Sequence, residues 1–435
     1  MRILHITPHL GGGVGKAVSA LALRAAHSHP GQRHAVACLE VPEKIVNARA
    51  LTAAGIELLV APDLPALARA CAAADIVQVE FWNHPALVHA LCRTRLAPLR
   101  LLVWTHVSGL HEPMLPPALL RAAHLVVFSS ECSLQAPEVH NAPVHMRRGF
   151  RVISSGVGVE HIEFRARPLR RDGALRAGYV GSMNLSKLHP SYVAMVAPAA
   201  LSLGSGLTVR MVGDPLNRDC LQQESQEAGC ADLFEFRGFR SDVFAEFAEF
   251  DIHLYLLNPL HYGTAENSLL ESMAAGVVPI VLDNPAERAL VEHGRTGFVV
   301  RTPEDVRRSL ERLDSDRSLL SDMGWAASQA VRERFSDSRM AEDFAQAYES
   351  VASLAPRSID FEAVFGTGPA EWFRAFQREP LVFRADGSVH RPDDARWHGL
   401  FDITKGTIFH FAHHFPDDPL LKRWSDALQL LRAAS

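Results

Sequence analysis

Short apolar runs alternate with amphipathic helical patterns through residues 1–150 of this 435-residue chain. The runs RILHIT, HAVACLE, IELLVA, DIVQVEF, LRLLVWTH and HLVVFSS are rich in Val, Ile and Leu and are bounded largely by Gly, Pro and Asp. Parallel strands that helices cover on both faces have this composition, and the Ala- and Leu-rich stretches between the runs suit crossover helices. The pattern therefore predicts a doubly wound α/β domain.

A second series of the same kind follows a Gly- and Arg-rich connector near residues 151–184. It begins at RAGYVGS and continues through LTVRMVGDP, LFEFRGF, DIHLYLLNP, VVPIVLD and TGFVV. Ligands of open parallel sheets bind beyond the carboxyl ends of the strands. We therefore expect two Rossmann-like domains that face a ligand-binding cleft.

Changes in composition and in hydrophobic pattern along the sequence give the expected domain bounds. The first domain should span residues 1–165 and the second residues 166–355, and the last helices of the second can pack back on the first. Residues 356–435 are rich in Phe, His and Trp and lack a clear helical period. They predict a C-terminal extension that is partly irregular, with one or two short helices.

Composition excludes several classes of function. A formal charge of -5 with 21% charged residues gives no reason to expect a nucleic-acid partner. The six cysteines form no C-x-x-C pair, which argues against a zinc cage and a disulfide framework and favours buried thiols in a reducing cytoplasm. Every apolar run is far shorter than the roughly 20 residues of a spanning helix, so a contact with the inner face of the membrane would be peripheral.

The segment HLGGGVGKAV places three glycines between the first predicted strand and a helix. Backbone amides and the helix dipole can hold an anion at such a turn, and Gly12 and Gly13 would line it. A P-loop would need Ser or Thr where Ala17 stands, and a dinucleotide fingerprint would need Gly where Lys16 stands. A tight strand-to-helix turn without a ligand is the alternative.

The stretch HYGTAENSLLESMAAG runs from a polar loop into an apolar helix that carries Glu271. A helix N-terminus suits a diphosphate, and a carboxylate one turn inside the helix can accept hydrogen bonds from ribose hydroxyls. A buried carboxylate without a partner is costly, so Glu271 is expected to have a function. The stretch outlines a site for a sugar nucleotide.

The order of these segments resembles the retaining glycosyltransferases of GT-B fold, family 4, over about residues 1–350. GGGVG resembles the N-terminal glycine loop of that family, VISSGVGVEHIEF its interdomain linker, and YVGSMNLSK its donor segment. MVGDP, FRGFRSDVFAEFAEFDIHLYL and LLESMAAGVVPIV resemble its later strands and its donor-site helix. The family moves a sugar from a nucleotide sugar to an acceptor and retains the anomeric configuration.

The resemblance implies a role for each matching residue. Glu271 would grip the nucleotide ribose, Lys187 would neutralise the donor diphosphate without a metal ion, and His106 would lie near the transferred sugar. No protein nucleophile and no cofactor are needed, because the leaving diphosphate can accept the proton of the acceptor hydroxyl. The residues implied to border or bind the donor are Gly12, Gly13, Gly181, Ser182, Gly213, Glu266, Asn267, Ser268 and Leu269.

Two positions depart from the family pattern. Gly263 stands where the first glutamate of E-x7-E would touch the donor sugar, and the nearest carboxylate is Glu266. Ser182 replaces an arginine that would help to neutralise the diphosphate. These losses leave the donor sugar open, and they keep activity itself in question.

Three functions fit this sequence. The leading hypothesis is transfer of a hexose from a UDP- or GDP-sugar to a sugar or lipid-linked acceptor, in the synthesis of an envelope polysaccharide or glycoconjugate. The others are a nucleotide-sugar epimerase of GT-B type and a degenerate GT-B module that binds or scaffolds. The degenerate module would account for Gly263 and Ser182.

The extension contains one histidine cluster, FHFAHHF. His410, His413 and His414 can share a helical face, where imidazoles bind zinc in some proteins. Surface exposure or packing against aromatic rings is the favoured interpretation, and no metal site is predicted.

Overall fold

A computed structural model describes residues 1–155, 158–166, 173–203, 206–379, 381–391 and 399–434. The chain divides into two compact units, of which the first comprises residues 1–157, 262–265 and 337–435. The second comprises residues 158–261 and 266–336. These bounds differ from the predicted domains chiefly because the chain from residue 337 onward groups with the first unit.

The first unit contains a seven-stranded parallel sheet in the order β3-β2-β1-β4-β5-β6-β7. The six apolar runs predicted the first six strands, because both faces of the sheet are covered and all six residues of the fourth strand are buried. The short seventh strand, FRV, was not predicted. The strands are β1 (Arg2–Thr7), β2 (Arg33–Cys38), β3 (Glu57–Val60), β4 (Ile76–Phe81), β5 (Leu101–Thr105), β6 (Leu125–Phe128) and β7 (Phe150–Val152).

The helices of this unit fall into two groups. One group connects the strands, and the other follows the second unit in sequence, at the C-terminal end of the chain. The crossover helices are α1 (Gly12–Ser28), α2 (Val46–Ala53), α3 (Leu64–Ala72), α4 (Pro85–Arg93), α5 (Pro117–Ala122), α6 (Pro137–His140) and α7 (Val144–Arg147). The C-terminal helices of this unit are α15 (Asp337–Ala352), α16 (Phe361–Phe365), α17 (Pro369–Arg374), α18 (Ile408–His414) and α19 (Pro419–Ala434).

Alternate residues of the strands supply two separate cores. Ile3 and Trp104 face a cluster that includes Phe344 of α15. Leu4 and Val103 point to the opposite face of the sheet, where a larger cluster forms. Period-two alternation thus places apolar side chains on both faces, as a doubly wound sheet requires.

The C-terminal extension is part of the larger core. Trp372, Phe373, Phe411 and Trp424 are all buried in the same cluster as β4 and β5. The predicted irregular appendage therefore contains four short or medium helices in its described part, whose aromatic side chains close one face of the sheet. The three shorter helices each contribute only a few apolar residues and so show no regular period, whereas α19 buries Leu421, Trp424 and Leu428 at helical spacing.

The second unit contains a six-stranded parallel sheet in the order β10-β9-β8-β11-β12-β13. A capping box in which Thr302 and Asp305 bond reciprocally starts the helix that follows the last strand of this sheet. The strands are β8 (Leu175–Val180), β9 (Leu207–Val212), β10 (Phe234–Gly238), β11 (Ile252–Tyr255), β12 (Val278–Leu282) and β13 (Phe298–Val300). The helices are α8 (Tyr192–Ser202), α9 (Arg218–Glu227), α10 (Val243–Glu249), α11 (Asn267–Ala274), α12 (Pro285–Arg288), α13 (Pro303–Ser315) and α14 (Ser318–Arg334).

Both predicted parallel sheets are confirmed. In the part of the chain that the structure describes, no helix is both long enough and apolar enough to cross a membrane.

Candidate functional site

The strand order of the second unit reverses between β8 and β11, which are hydrogen-bonded neighbours. The loops that follow these two strands leave the carboxyl edge of the sheet in opposite directions, and such a switch point is where ligands of open α/β sheets bind. Lys187 lies in the loop after β8, and Glu266 ends the loop after β11. Topology therefore explains why two residues distant in sequence meet here.

Lys187 and Glu266 form an ion pair with 3.0 Å between Nζ and Oε2. The glutamate side chain is 1% exposed and the lysine side chain 23% exposed, so the carboxylate is the buried partner. The hydroxyl of Tyr255 donates to the same Oε2 at 2.5 Å, and the Tyr255 ring also lies 5.6 Å from the ammonium. Burial favours the neutral carboxyl, but Lys187 and His261 outweigh it and hold the pKa of Glu266 below its ordinary value.

A second buried pair adjoins the first. Nε2 of His261 lies 3.1 Å from the carboxylate of Glu287, and its Nδ1 lies 3.8 Å from Glu266. Asn284 donates to Glu287 at 3.2 Å. Burial disfavours the imidazolium, but the two carboxylates overcome this effect and raise the pKa of His261. The two pairs together form a buried charged network, with alternating cations and anions, at the switch point.

Glycines line the same edge of the sheet. Gly181 and Gly213 follow the neighbouring strands β8 and β9, and a Cβ atom at Gly213 would lie 1.8 Å from the carbonyl oxygen of Gly181. Gly213 also has a φ of 138°, which L-residues rarely adopt. The carbonyl of Ser182 accepts a hydrogen bond from the Tyr179 hydroxyl at 2.9 Å. The two predicted glycines are thus brought together because only glycine allows the two loops to approach so closely.

The predicted donor-site helix α11 begins immediately after Glu266, whose φ of 41° is left-handed. The side chain of Ser268 donates to the carbonyl of Val180 at 2.7 Å and so ties the start of the helix to the end of β8. The amide of Leu269 donates to the carbonyl of Glu266 at 2.9 Å, so this amide already has a partner within the turn. Asn267 and Ser268, the first two helical residues, are half-buried.

Glu271 lies in the second turn of α11, and it is buried. Gly263, which replaces the expected first glutamate, lies in the short segment 262–265 that groups with the first unit. Within the second unit the charged network supplies carboxylates from Glu266 and Glu287 instead. No ion is needed to explain either carboxylate, because each has a basic partner.

In the first unit, His106 directly follows β5, and its side chain is only 6% exposed. Its Nε2 lies 2.9 Å from one oxygen of Glu80, while Nδ1 of His5 lies 2.9 Å from the other. Gln78 adds a bond of 2.8 Å to Glu80 and accepts one of 2.6 Å from the Tyr348 hydroxyl. Burial favours the neutral carboxyl of Glu80, but the bonds to His106 and His5 prevail and lower its pKa. A buried carboxylate thus fixes the orientation of the predicted histidine.

The first sheet has its own switch point between β1 and β4. His9 follows β1, and Trp82 and His84 follow β4, with the three rings within 5.8 Å of one another. Among the described residues, none accepts a hydrogen bond from Nε2 of His9 or Nε1 of Trp82, whereas Nε2 of His84 faces the carboxylate of Glu40 at 3.6 Å. Buried donors are usually paired, so the two unpaired N–H groups of His9 and Trp82 at a switch point indicate a place for the oxygen atoms of a ligand or of water.

The glycines of the loop between β1 and α1 differ in their surroundings. Gly12 and Gly13 are the first residues of α1 and are exposed, and a Cβ atom at Gly12 would meet nothing within 4 Å. Gly15 provides the close packing, since a Cβ atom there would lie 2.1 Å from the carbonyl oxygen of Leu10. Gly12 has a φ of 62°, so glycine serves the turn itself.

Glu40, His84 and His410 offer side-chain atoms close enough together for a metal ion. However, Nδ1 of His84 accepts from the amide of Ala86, and Nδ1 of His410 accepts from the amide of Gly406. A neutral imidazole that binds a metal through Nε2 carries its proton on Nδ1, which would point at these amide hydrogens. Burial, followed by the neighbouring charges, lowers the pKa of His410 to about 4. The arrangement favours an Nε2–H donor over a metal ligand.

Two histidines of the FHFAHHF cluster pack against rings. His410 contacts His84 with ring centroids 4.7 Å apart, and His414 contacts Phe415 at the same distance. His414 also lies 6.5 Å from His89. Aromatic packing, the favoured interpretation, describes these two residues.

Sequence reasoning missed Glu80, Tyr255, His261 and Glu287. Glu80 interrupts an otherwise apolar strand, DIVQVEF, and this buried charge was the available signal. The sequence around Tyr255, His261 and Glu287 gives no comparable signal. Only the fold brings them to Lys187 and Glu266.

Residues 174–316 match the model of the family described as Glycosyl transferases group 1. No curated protein matches the chain. The family match covers most of the second unit, including the Lys187–Glu266 pair and α11, and supports the glycosyltransferase superfamily. Assignment to family 4 stays a prediction.

Solved structures resemble this chain over most of its length. HepE of Anabaena in complex with UDP is 17% identical with a TM-score of 0.63, over 80% of this chain and 100% of HepE. A glycosyltransferase from Rickettsia africae is 15% identical with a TM-score of 0.64, over 81% and 98% of the two chains. Sucrose-phosphate synthase from Thermosynechococcus elongatus is 15% identical with a TM-score of 0.62, over 81% and 99%. At these identities the matches show the fold, and the predicted GT-B fold is confirmed.

Proposed function

We propose that this chain is a retaining, metal-independent glycosyltransferase that moves a hexose from a nucleoside diphosphate sugar to a sugar or lipid-linked acceptor. The observation that carries the proposal is the ion pair between Lys187 and Glu266 at the switch point of the unit that matches the family model. Placing a lysine ammonium and a helix N-terminus at one edge of a sheet provides the charge that a diphosphate needs.

The second unit would bind the donor. Lys187 would neutralise the diphosphate, the amides of Asn267 and Ser268 would add hydrogen bonds, and Glu271 would accept bonds from the ribose hydroxyls. In the free protein, Glu266 shields the charge of Lys187. A bound diphosphate would compete for that lysine and leave the ionised Glu266 able to accept bonds from donor hydroxyls, the role expected at the position of Gly263.

The first unit would bind the acceptor. His9 and Trp82 present N–H donors at its switch point, and these suit the hydroxyl oxygens of a sugar. His106 would lie near the transferred hexose, and Glu80 would hold the imidazole ring of His106 in place. The polar groups proposed to bind the sugar donor thus lie on the second unit, and those proposed to bind the sugar acceptor lie on the first. This division is in keeping with a two-substrate reaction.

In the proposed reaction the bond between the anomeric carbon and the diphosphate oxygen breaks while the acceptor oxygen bonds to that carbon on the same face. The departing diphosphate oxygen takes the proton of the acceptor hydroxyl, so atoms and charge balance without a protein nucleophile. Lys187 would stabilise the charge that develops on the diphosphate. Synthesis of an envelope polysaccharide or glycoconjugate, at the cytoplasmic side with peripheral membrane contact, is the setting we propose.

A thermal-shift screen tests donor binding. Purified protein is melted alone and with a panel of UDP- and GDP-sugars, and at least one donor should raise the melting temperature. Glu271→Ala should abolish that rise, whereas Glu227→Ala, which removes an exposed glutamate of α9 in the same unit, should keep it. No shift with any donor would instead favour the degenerate scaffold.

Product analysis tests transfer. The donor found in the screen is incubated with and without acceptor extracts, and the sugar product is identified with its anomeric configuration. Acceptor-dependent release of the nucleoside diphosphate supports a transferase. Conversion of the donor to another nucleotide sugar without an acceptor would identify an epimerase.

A further inference from the structure

A cavity of about 780 Å³ opens in the C-terminal part of the first unit, away from both switch points in sequence. A hairpin forms one side of it: Phe383 and Val389 pair antiparallel, and the amide of Arg384 donates to the carbonyl of Ser388 at 3.0 Å. Arg374, the last residue of α17, lines the cavity together with this hairpin. The cavity contains residues of the extension alone.

The hairpin is anchored to the core, so the cavity walls are held in place. The indole N–H of Trp424 donates to the carbonyl of Arg384 at 2.9 Å. The ring of Phe383 packs at 4.9 Å from Phe373 and at 5.7 Å from Trp424, and all three rings are buried. Preorganised walls lower the entropy cost of binding a ligand.

The cavity lining has two arginines and a histidine against one carboxylate. Nε of Arg374 is buried and has no hydrogen-bond partner in the part of the chain that the structure describes. Arg384 and His390 line the same space. The carboxylate of Asp386, the acidic residue of the lining, accepts instead from the amide and the hydroxyl of Ser388, at 2.8 and 2.7 Å. Arg374 is half-buried, but a buried guanidinium nitrogen that lacks an acceptor is costly, and together with the excess of positive groups it points to an anionic ligand.

We propose that this cavity binds a phosphate ester. Guanidinium groups bind phosphate oxygens in pairs through their planar fork, and two arginines and a histidine can surround one phosphate group. The aliphatic side chains of Leu381, Ala385 and Val389 line the remaining wall and suit the carbon skeleton of the ester. The site belongs to the extension and is independent of the proposed transfer reaction.

Two sources share this chemistry, a phospholipid headgroup and a soluble sugar or glycerol phosphate, and the test separates them. One arm measures sedimentation of the full-length protein with vesicles of phosphatidylglycerol in phosphatidylcholine, against vesicles of phosphatidylcholine alone. The other arm titrates glycerol 3-phosphate by calorimetry. Binding in either arm should weaken about tenfold or more in the double variant Arg374→Gln, Arg384→Gln, since two charged contacts are lost.

Matched variants keep the test decisive. Arg378→Gln removes an exposed arginine outside the cavity and should bind like the wild type. Ala385→Glu adds a carboxylate at an exposed position of the lining, so it should block the site even if the double arginine variant does not fold. All three variants should retain any donor-induced melting shift, which separates this site from the proposed donor site.

Two results would overturn the proposal. One is the absence of wild-type binding in both arms. The other is equal weakening by Arg378→Gln and by the cavity variants, which would mean that general surface charge, rather than the cavity, binds the phosphate.

Discussion

The ammonium of Lys187 lies 3.0 Å from the carboxylate of Glu266, although the two residues belong to loops that follow different strands. The pair bridges the two loops that diverge at the switch point between β8 and β11. It therefore contributes to stability and to the proposed donor site at once, and the two contributions can be measured separately.

Removing the lysine should destabilise the protein. We expect Lys187→Met to lower the free energy of unfolding by about 1–3 kcal/mol, because it leaves a buried carboxylate without its main counter-charge. Lys422→Met, at an exposed position of α19, should change it by less than about 0.5 kcal/mol. Urea unfolding at neutral pH measures both values.

The double variant Lys187→Met, Glu266→Gln completes a cycle. Its loss of stability should be smaller than the sum of the two single losses by about 1–2 kcal/mol, since the second change removes the stranded charge. Strictly additive losses would contradict a direct interaction.

The pair of His261 and Glu287 should make stability depend on pH. Burial opposes the charged imidazole, but the carboxylates of Glu287 and Glu266 raise its pKa above 6.5 in the folded chain. A group whose pKa is raised by folding adds stability that is fully present below its pKa in the unfolded chain. That stability is lost as the pH rises through its pKa in the folded chain. The stability difference between the wild type and His261→Gln should therefore shrink from about pH 6 to pH 9 in urea unfolding. A difference that stays constant over this range would show that the charge of His261 does not contribute.

Much of the fold is predictable from local sequence. Buried parallel strands need continuous apolar runs, and each run that carried the prediction corresponds to a strand. His106 directly follows its strand, and Glu271 lies on the predicted helix, because both features depend on a short stretch of sequence. The extension was harder, since its aromatic residues come from several short helices that share a core with the sheet.

Most of the site's electrostatics is not predictable locally. Glu266 was identified as the carboxylate nearest to Gly263, yet its partners Lys187, Tyr255 and His261 depend on strand order. The role of Glu80 likewise depends on three strands, because His5, Glu80 and His106 lie on or directly after β1, β4 and β5. Such contacts require the topology, which single-sequence periodicity does not contain.

Glu80 should be a strong determinant of stability in the first unit. Glu80→Leu removes the acceptor of His5, His106 and Gln78 at once, so we expect a loss of about 3–5 kcal/mol. Glu80→Gln keeps one acceptor oxygen and should cost less. Chemical unfolding of both variants tests this order, and a leucine variant as stable as the glutamine variant would contradict it.

The two glycines Gly12 and Gly213 both have positive φ angles, of 62° and 138°, but only Gly213 is crowded. Alanine at Gly12 would meet open space, so its cost should be the backbone strain alone, about 1 kcal/mol.

Alanine at Gly213 would place Cβ 1.8 Å from the carbonyl oxygen of Gly181, and relieving that overlap must move one of the two loops at the switch point. We therefore expect Gly213→Ala to cost about 2–5 kcal/mol in urea unfolding, combining strain with overpacking. Because Gly181 begins the loop that carries Lys187, this variant should also weaken the donor-induced melting shift. Equal stability of the two variants would show that the loops yield at little cost and that the close approach of Gly181 and Gly213 does not shape the site.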